Sequence, residues 1–445
     1  MIAVIGAGPA GLAVAWQLTR DGHDAVVIEA SSHVGGMSGS RTVSGIRVDL
    51  GSHRLPPAMP AEIRGSIEEL VELQERPRRG RVRLDGRWLP VPLQPVGALR
   101  GLAPSTGLRM AAETATSPLR RPKADTYAAV LRASHGDTAF EQLHAPFAWK
   151  LWDTDPDHLA GELARRRLGA SAGQVVGAAL RRVMSPPTFL YPRRGFGALS
   201  EAMAELIPEI RLDTKVTGLI EHEDRVTVGL ADGRIVTVDH VFSTLPAGRT
   251  AVWLALVEPD EVVLPTRAVV LVYLTLDRRP YTEFDAHLLP DRTVLPTRVS
   301  EPANYRDSAA DPPDRTVLCA EVPCWVDDAV WGASDEELGR RVADDLVRSG
   351  LPDPRATAVE TIRMPSVHPV MTGASLAALD RAERALQSSG RVTVLGRQGL
   401  FTPDTTHHVL QMGFAAARCV GADGGFDHDA WRRARDDFRA FVVES

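Results

Sequence analysis

The chain opens on an apolar run, Ile2-Ala3-Val4-Ile5, which breaks at Gly6-Ala7-Gly8-Pro9-Ala10-Gly11 into a segment carrying Leu12, Ala15, Trp16 and Leu18 at helical spacing. This order predicts a strand, a tight turn and a helix that stops near Asp21-Gly22. A second apolar run over 25–28 ends on Glu29, so a βαβ start is compressed into about 30 residues. Between 60 and 190 the pattern predicts helices broken by proline, over 61–73, 126–134, 138–151 and 159–184. Past Ile210 the texture changes to alternation, which predicts strands over 210–216, 226–230 and 235–238 with a turn at Asp232-Gly233. The run 241–246 predicts a buried strand ending in a loop. Further strands are expected over 268–276, 316–322 and 392–395. Residues 335–348 form an amphipathic helical pattern through Leu338, Val342 and Leu346. A closing helix is predicted from Thr405 or Thr406, either of which could cap it, through Ala417.

Composition narrows the class. At 445 residues, two domains are the expectation. Hydrophobic residues at 44% and charged residues at 24% fit a soluble globular protein. No run of about 18 apolar residues occurs, so no transmembrane span is predicted. The first residues run straight into the glycine motif, and no leader peptide is expected. Three cysteines, Cys319, Cys324 and Cys419, fit a reduced, cytoplasmic setting and offer no metal-ligand pattern. The net charge of −6 argues against nucleic acid as a partner. Residues 76–87 hold six arginines against Asp85 alone, and Arg165-Arg166-Arg167 follow. They read either as an entrance for an anionic small-molecule substrate or as solvated surface.

Gly6, Gly8 and Gly11 fit the dinucleotide fingerprint. The first permits the turn, the second lets backbone approach a pyrophosphate, and the third lets helix and strand close. Pro9 and Ala10 open the helix whose N-terminus faces the phosphates. Glu29, with Ala30 beside it, is placed to accept hydrogen bonds from ribose hydroxyls. The continuation through Gly35, Gly36, Met37 and Ser38 is not needed for NAD. It resembles the extended FAD motif of the amine oxidase and protoporphyrinogen oxidase-like superfamily.

That resemblance recurs in scattered blocks. Asp49-Leu50-Gly51-Ser52-His53-Arg54 looks like the segment passing beside the isoalloxazine ring. The block 147–152 with 159–167 resembles the helical part of the family's substrate domain. The run from Tyr191 to Leu199 is similar to the element returning toward the flavin. The resemblance places Val216 at the adenine and Thr244-Leu245-Pro246 around the same region. Gly396-Arg397-Gln398-Gly399-Leu400-Phe401, with the helix through Leu410 and Met412, resembles the C-terminal flavin motif of UDP-galactopyranose mutase-like flavoproteins. Arg397 there could meet the pyrophosphate or an anionic substrate. This chain departs from the family pattern at Thr402 to His408, and has His368-Pro369 where a tyrosine-proline element is usual.

The resemblance implies an α/β fold: a Rossmann-like FAD-binding domain from 1–60, 190–250 and 390–445, interleaved with an α+β substrate domain from 61–189 and 251–389. It implies non-covalent FAD in a monomer or homodimer. His53, His407 and His408 are the candidate acid–base groups, because imidazole titrates near neutrality. Tyr191, His368 and Trp88 are candidate pocket residues, and packing is the alternative for each. The implied activity is a two-electron oxidation of a small molecule. A redox-neutral sugar mutase is the alternative. An escort-type binding protein without flavin chemistry is a third class, against which the complete glycine set and Glu29 speak.

Overall fold

The computed structural model describes residues 1–91, 102–168 and 187–443. Ile2–Ile5, Ala25–Ile28, His240–Ser243, Val392–Val394 and Ile210–Arg211 form a five-stranded parallel sheet. Ile2–Ile5 lies at its centre, between Ala25–Ile28 and His240–Ser243. The apolar runs are continuous rather than alternating because both faces are covered. Helix Pro9–Arg20 lies against it, and helix Thr406–Ala417 packs on that helix in turn. Their approach is close enough that a Cβ on Gly413 would sit 2.6 Å from Ala13 Cβ. An antiparallel three-stranded sheet, Val216–Glu221, Val226–Leu230 and Ile235–Val238, contributes its buried valines and leucines to the core on the other side.

The second large sheet has seven strands, in the order Ala358–Pro369, Thr266–Leu276, Thr316–Cys324, Arg298–Ser300, Ala286–Leu288, Gly80–Leu84 and Arg87–Val91. Helix Asp335–Arg348 covers one face, with Leu338, Val342 and Leu346 in that sheet's core, as its amphipathic pattern predicts. A helical layer of Tyr127–His135, Ala145–Trp152 and Gly161–Leu168 forms a separate cluster that includes Phe401.

Several sequence expectations change. The stretch 73–91 was expected within a helical region but forms three strands. Leu73–Pro77 pairs with Thr188–Pro192, and the two arginine-bearing strands form a hairpin on the seven-stranded sheet. Its arginines sit on strands that alternate in and out, a two-residue period masked by the charge run. The predicted helix over 138–151 contains a π-helical turn, Phe140–His144. Helix Gly161–Leu168 occupies the start of the region predicted over 159–184; residues 169–186 lie outside the described residues. The strand expected over 210–216 is two elements in different sheets. The closing helix is followed by another, His428–Phe438, whose Trp431 and Phe438 pack into the first core. No helix among the described residues is long and apolar enough to cross a membrane.

Candidate functional site

The glycine turn is sterically enforced at two of its three positions. Gly6 has φ +101°, and a Cβ there would lie 2.1 Å from Thr244 Oγ1, which itself donates to Ile5 O. A Cβ on Gly11 would lie 2.0 Å from Gly6 O. Gly8 differs: its nearest neighbour would be Gly36 Cα at 3.9 Å, so the protein itself leaves it room. Gly8 also caps helix Pro9–Arg20 without a side-chain hydrogen bond. Free N–H groups and an open glycine therefore face one space, which suits a pyrophosphate. Glu29 receives Ala7 N–H and Ser31 N–H at 2.8 Å each, which ties the second strand's end to the turn. Gly35, at φ +103°, starts the short turn that carries Met37 and Ser38. Val216 begins the strand paired with Leu230 and is buried.

The segment 49–54 hangs from Asp49. Its buried carboxylate accepts Ser40 Oγ at 2.7 Å, Phe196 N–H at 2.9 Å and the Tyr191 hydroxyl, while its carbonyl accepts the Tyr273 hydroxyl. Tyr191 is thus fully buried beneath the loop and turned onto Asp49. Ser52 N–H donates to Glu321 Oε1, and His53 Nε2 meets Leu50 O at 2.9 Å. Burial lowers the His53 pKa, with Asp49 opposing. Arg54 points elsewhere, to Asp285 Oδ1 at 3.0 Å and over the Phe189 ring.

Beside this loop the seven-stranded sheet brings charged groups together by register. Arg298 lies opposite Glu321, and the two form a bidentate pair at 2.8–2.9 Å. Arg267 lies opposite His368. It reaches Asp153 at 3.3 Å and covers the Trp325 ring. Burial first, then the charges of Arg397, Arg167, Arg298 and Arg267, drive the His368 pKa well below its usual value. The charges of four guanidinium groups thus act on a neutral imidazole. Arg298 and Arg267 have carboxylate partners. Arg397 and Arg167 have none within ion-pair distance among the described residues: Arg397 donates to Val367 O and Asp404 O, and Arg167 lies over the Trp152 ring with Nε buried and unpartnered. Burial lowers Arg397 to about 10, with Asp404 opposing and Arg167 adding to the shift. Arg397 and Arg167 are thus two partly buried cations without a carboxylate partner, close enough for each charge to act on the other.

The C-terminal motif docks on the strand that carries His368, through Gln398 to Ser366 O and Arg397 to Val367 O. Gln398 also reaches Met37 Sδ at 3.9 Å. Gly396 has φ +79° and abuts Ala10, so the first and last motifs touch. Leu410 and Met412 are buried in the core beneath them. His407 and His408 sit at the helix start, both with Nδ1 on Thr405 Oγ1, at 2.8 and 3.0 Å. His408 also stacks on Phe441. Burial lowers His407 to about 4 and His408 to about 3, so both are neutral imidazoles engaged in a helix cap.

Sequence reasoning missed Arg267, Arg298, Glu321 and Asp404 as site residues; it named Asp49 only within the 49–54 segment and Arg167 only within the 165–167 cluster. A signal existed for Glu321, a lone charge within the apolar run 316–322. None existed for Arg267, whose adjacency to the candidate pocket residue His368 is a register between strands about 100 residues apart.

Comparison with known proteins agrees with this geometry. A model of the flavin containing amine oxidoreductase family matches residues 9–383. The putrescine oxidase of Kocuria rosea is 38% identical over 80 residues, 18% of this chain and 16% of that protein. The curated relatives the chain matches are covered over only 16% to 18% of their own length. Among solved structures, reduced UDP-galactopyranose mutase superposes with a TM-score of 0.78 at 19% identity, covering 97% of this chain and 98% of that one. A protein titled a protoporphyrinogen oxidase, from Exiguobacterium sp. 255-15, follows at a TM-score of 0.72 and 19% identity, with 98% of each chain covered. At 19% identity, both likenesses establish the fold alone.

Proposed function

The chain belongs to the flavin containing amine oxidoreductase family, and from that premise we propose that it binds FAD non-covalently and oxidises a small anionic molecule by two electrons. The observation that carries the substrate class is the pair of partly buried arginines without carboxylate partners, Arg167 and Arg397, whose charges both act on His368. Bound flavin would accept the electron pair. The chain's own residues have three tasks. Gly6, Gly8, Gly11, Glu29, Gly35 and Gly36 hold the dinucleotide, with the N-terminus of Pro9–Arg20 at its phosphates. The loop Gly51–His53, fixed by Asp49 and Glu321, borders the ring. Arg167, Arg397 and neutral His368 orient the substrate and exclude water. His53, His407 and His408 remain candidate proton carriers in this reading. The cap at Thr405 makes His407 and His408 weaker candidates than His368, which faces the arginines. In this reading 1–60, 190–250 and 390–445 form the cofactor domain and the remainder the substrate domain.

A second reading, a redox-neutral mutase acting on an anionic sugar, is favoured by the same arginines and by the 396–401 motif. Anaerobic mixing separates the two. Substrate-dependent bleaching of the flavin supports oxidation. Turnover only after prior reduction with dithionite, with no net redox change, supports the mutase reading and overturns the first. Protein that is colourless and cannot be reconstituted with FAD overturns both.

A further inference from the structure

The link between the flavin motif and its helix contains a group that no step above uses. Phe401, held at φ +48° and buried in the helical cluster, turns the chain into Thr402-Pro403-Asp404. The Asp404 side chain has no exposed surface, and neither carboxyl oxygen has a hydrogen-bond partner. Thr402 Oγ1, two residues earlier, is also buried and unpartnered. A buried carboxyl without partners is costly, and such groups gather where a ligand or a proton is handled.

What surrounds Asp404 defines its role. Its own carbonyl accepts Arg397 Nη1 at 2.9 Å. Arg166, from helix Gly161–Leu168, faces it while bonded to Glu162 and Phe438 O. His408 Nδ1 lies 3.9 Å from Oδ1 but is engaged with Thr405. Burial raises the Asp404 pKa to about 6, against the opposing pull of Arg166 and Arg397. The neighbouring imidazoles are all displaced downward by burial, His407 to about 4, His408 to about 3 and His368 well below its usual value. Burial thus moves Asp404 toward the neutral range while it moves the neighbouring imidazoles away from it.

We propose that Asp404 is a specificity-determining acid of the arginine pocket: protonated, it leaves Arg397 free to share an anion with Arg167, and ionised, it competes with that anion. Anion binding then takes up one proton, which stays on the carboxyl. This rests on the anionic-substrate reading and adds a protonation rule to it.

The test uses the FAD-loaded enzyme and sulfate, which remains a dianion across the range, with binding read by calorimetry. Wild-type affinity should weaken roughly tenfold or more from pH 5 to pH 8. Asp404→Asn should hold the acid-side affinity throughout, and so bind sulfate more tightly than wild type at pH 8. Calorimetry at pH 7 in two buffers of different ionisation enthalpy should show close to one proton taken up per sulfate in wild type and none in Asp404→Asn. A flat wild-type profile with no proton uptake overturns the inference even if the variant fails to fold, and parallel profiles in the two proteins overturn it too. Arg167→Met separates the premises. Sulfate binding that survives Arg167→Met sinks the anionic pocket itself, whereas binding lost in that variant alongside a flat wild-type profile sinks only the role of Asp404.

Discussion

In the proposed reading, the two sides of the site are built by opposite means. The cofactor side is backbone: glycines, a helix end and one carboxylate, nearly all within the first 36 residues, where sterics leave little choice at Gly6 and Gly11. The substrate side is side chain: Arg167, Arg267, Arg298, His368 and Arg397 come from five separate segments and meet only through sheet register and helix docking. A backbone site holds shape at the cost of variability. A side-chain site can be retuned residue by residue, which is how one fold can serve both an oxidase and a mutase.

The sharpest break should come on the backbone side. Gly11→Val forces a Cβ into Gly6 O, and we expect a loss of about 3 kcal/mol or more with no bound flavin, read by thermal melting and flavin content. Asp49→Ala should cost about 3 kcal/mol, because Ser40, Phe196 N–H and Tyr191 all lose their acceptor; it should also disorder the Gly51–His53 loop, seen as faster hydrogen exchange there. Arg167→Met should leave flavin content and melting near wild type yet lower kcat/KM roughly 30-fold, which confines the damage to the substrate side. Loss of flavin in that variant would erase the distinction drawn above.

Acid should weaken both halves alike. His240, joined to Thr393 in the parallel sheet, and His287, in the seven-stranded sheet, are each lowered to about 3 by burial. They are neutral when folded but protonate in the unfolded chain below about pH 6.5, so the unfolded state binds more protons there. Stability is complete above that pH and falls as pH drops toward the folded values, by on the order of 1 kcal/mol for each imidazole at pH 5.5. His240→Gln should flatten the melting-temperature profile between pH 5 and 7. The smallest effect on the fold belongs to Gly8→Ala, where the protein leaves 3.9 Å of clearance; melting should be untouched, while FAD affinity by equilibrium dialysis should fall, because the added methyl enters the space assigned to the pyrophosphate.

The same division explains what could be read without coordinates. The βαβ start, Glu29, the helix Asp335–Arg348 and a cap at Thr405 or Thr406 were legible because each rests on neighbours a few residues away. The hairpin Gly80–Val91 was not, since its arginines obscured a two-residue period that only the adjoining Ala286–Leu288 strand reveals. The histidines at 407 and 408 were legible as candidate acid–base groups near the flavin motif. Their engagement with Thr405 and Phe441 was not, because the aromatic partner comes from a helix-and-tail segment that the periodicity left unassigned.

One feature of the parallel sheet reaches beyond the finished molecule. Its central strand, Ile2–Ile5, is synthesised long before the strand Val392–Val394 and the helix that packs on Pro9–Arg20. During synthesis the nascent chain must therefore carry an open glycine turn and an uncovered helix face until those later segments emerge. Completion of the glycine turn's surroundings waits for them, and a chain arrested before residue 417 would be a client for chaperones rather than a smaller enzyme.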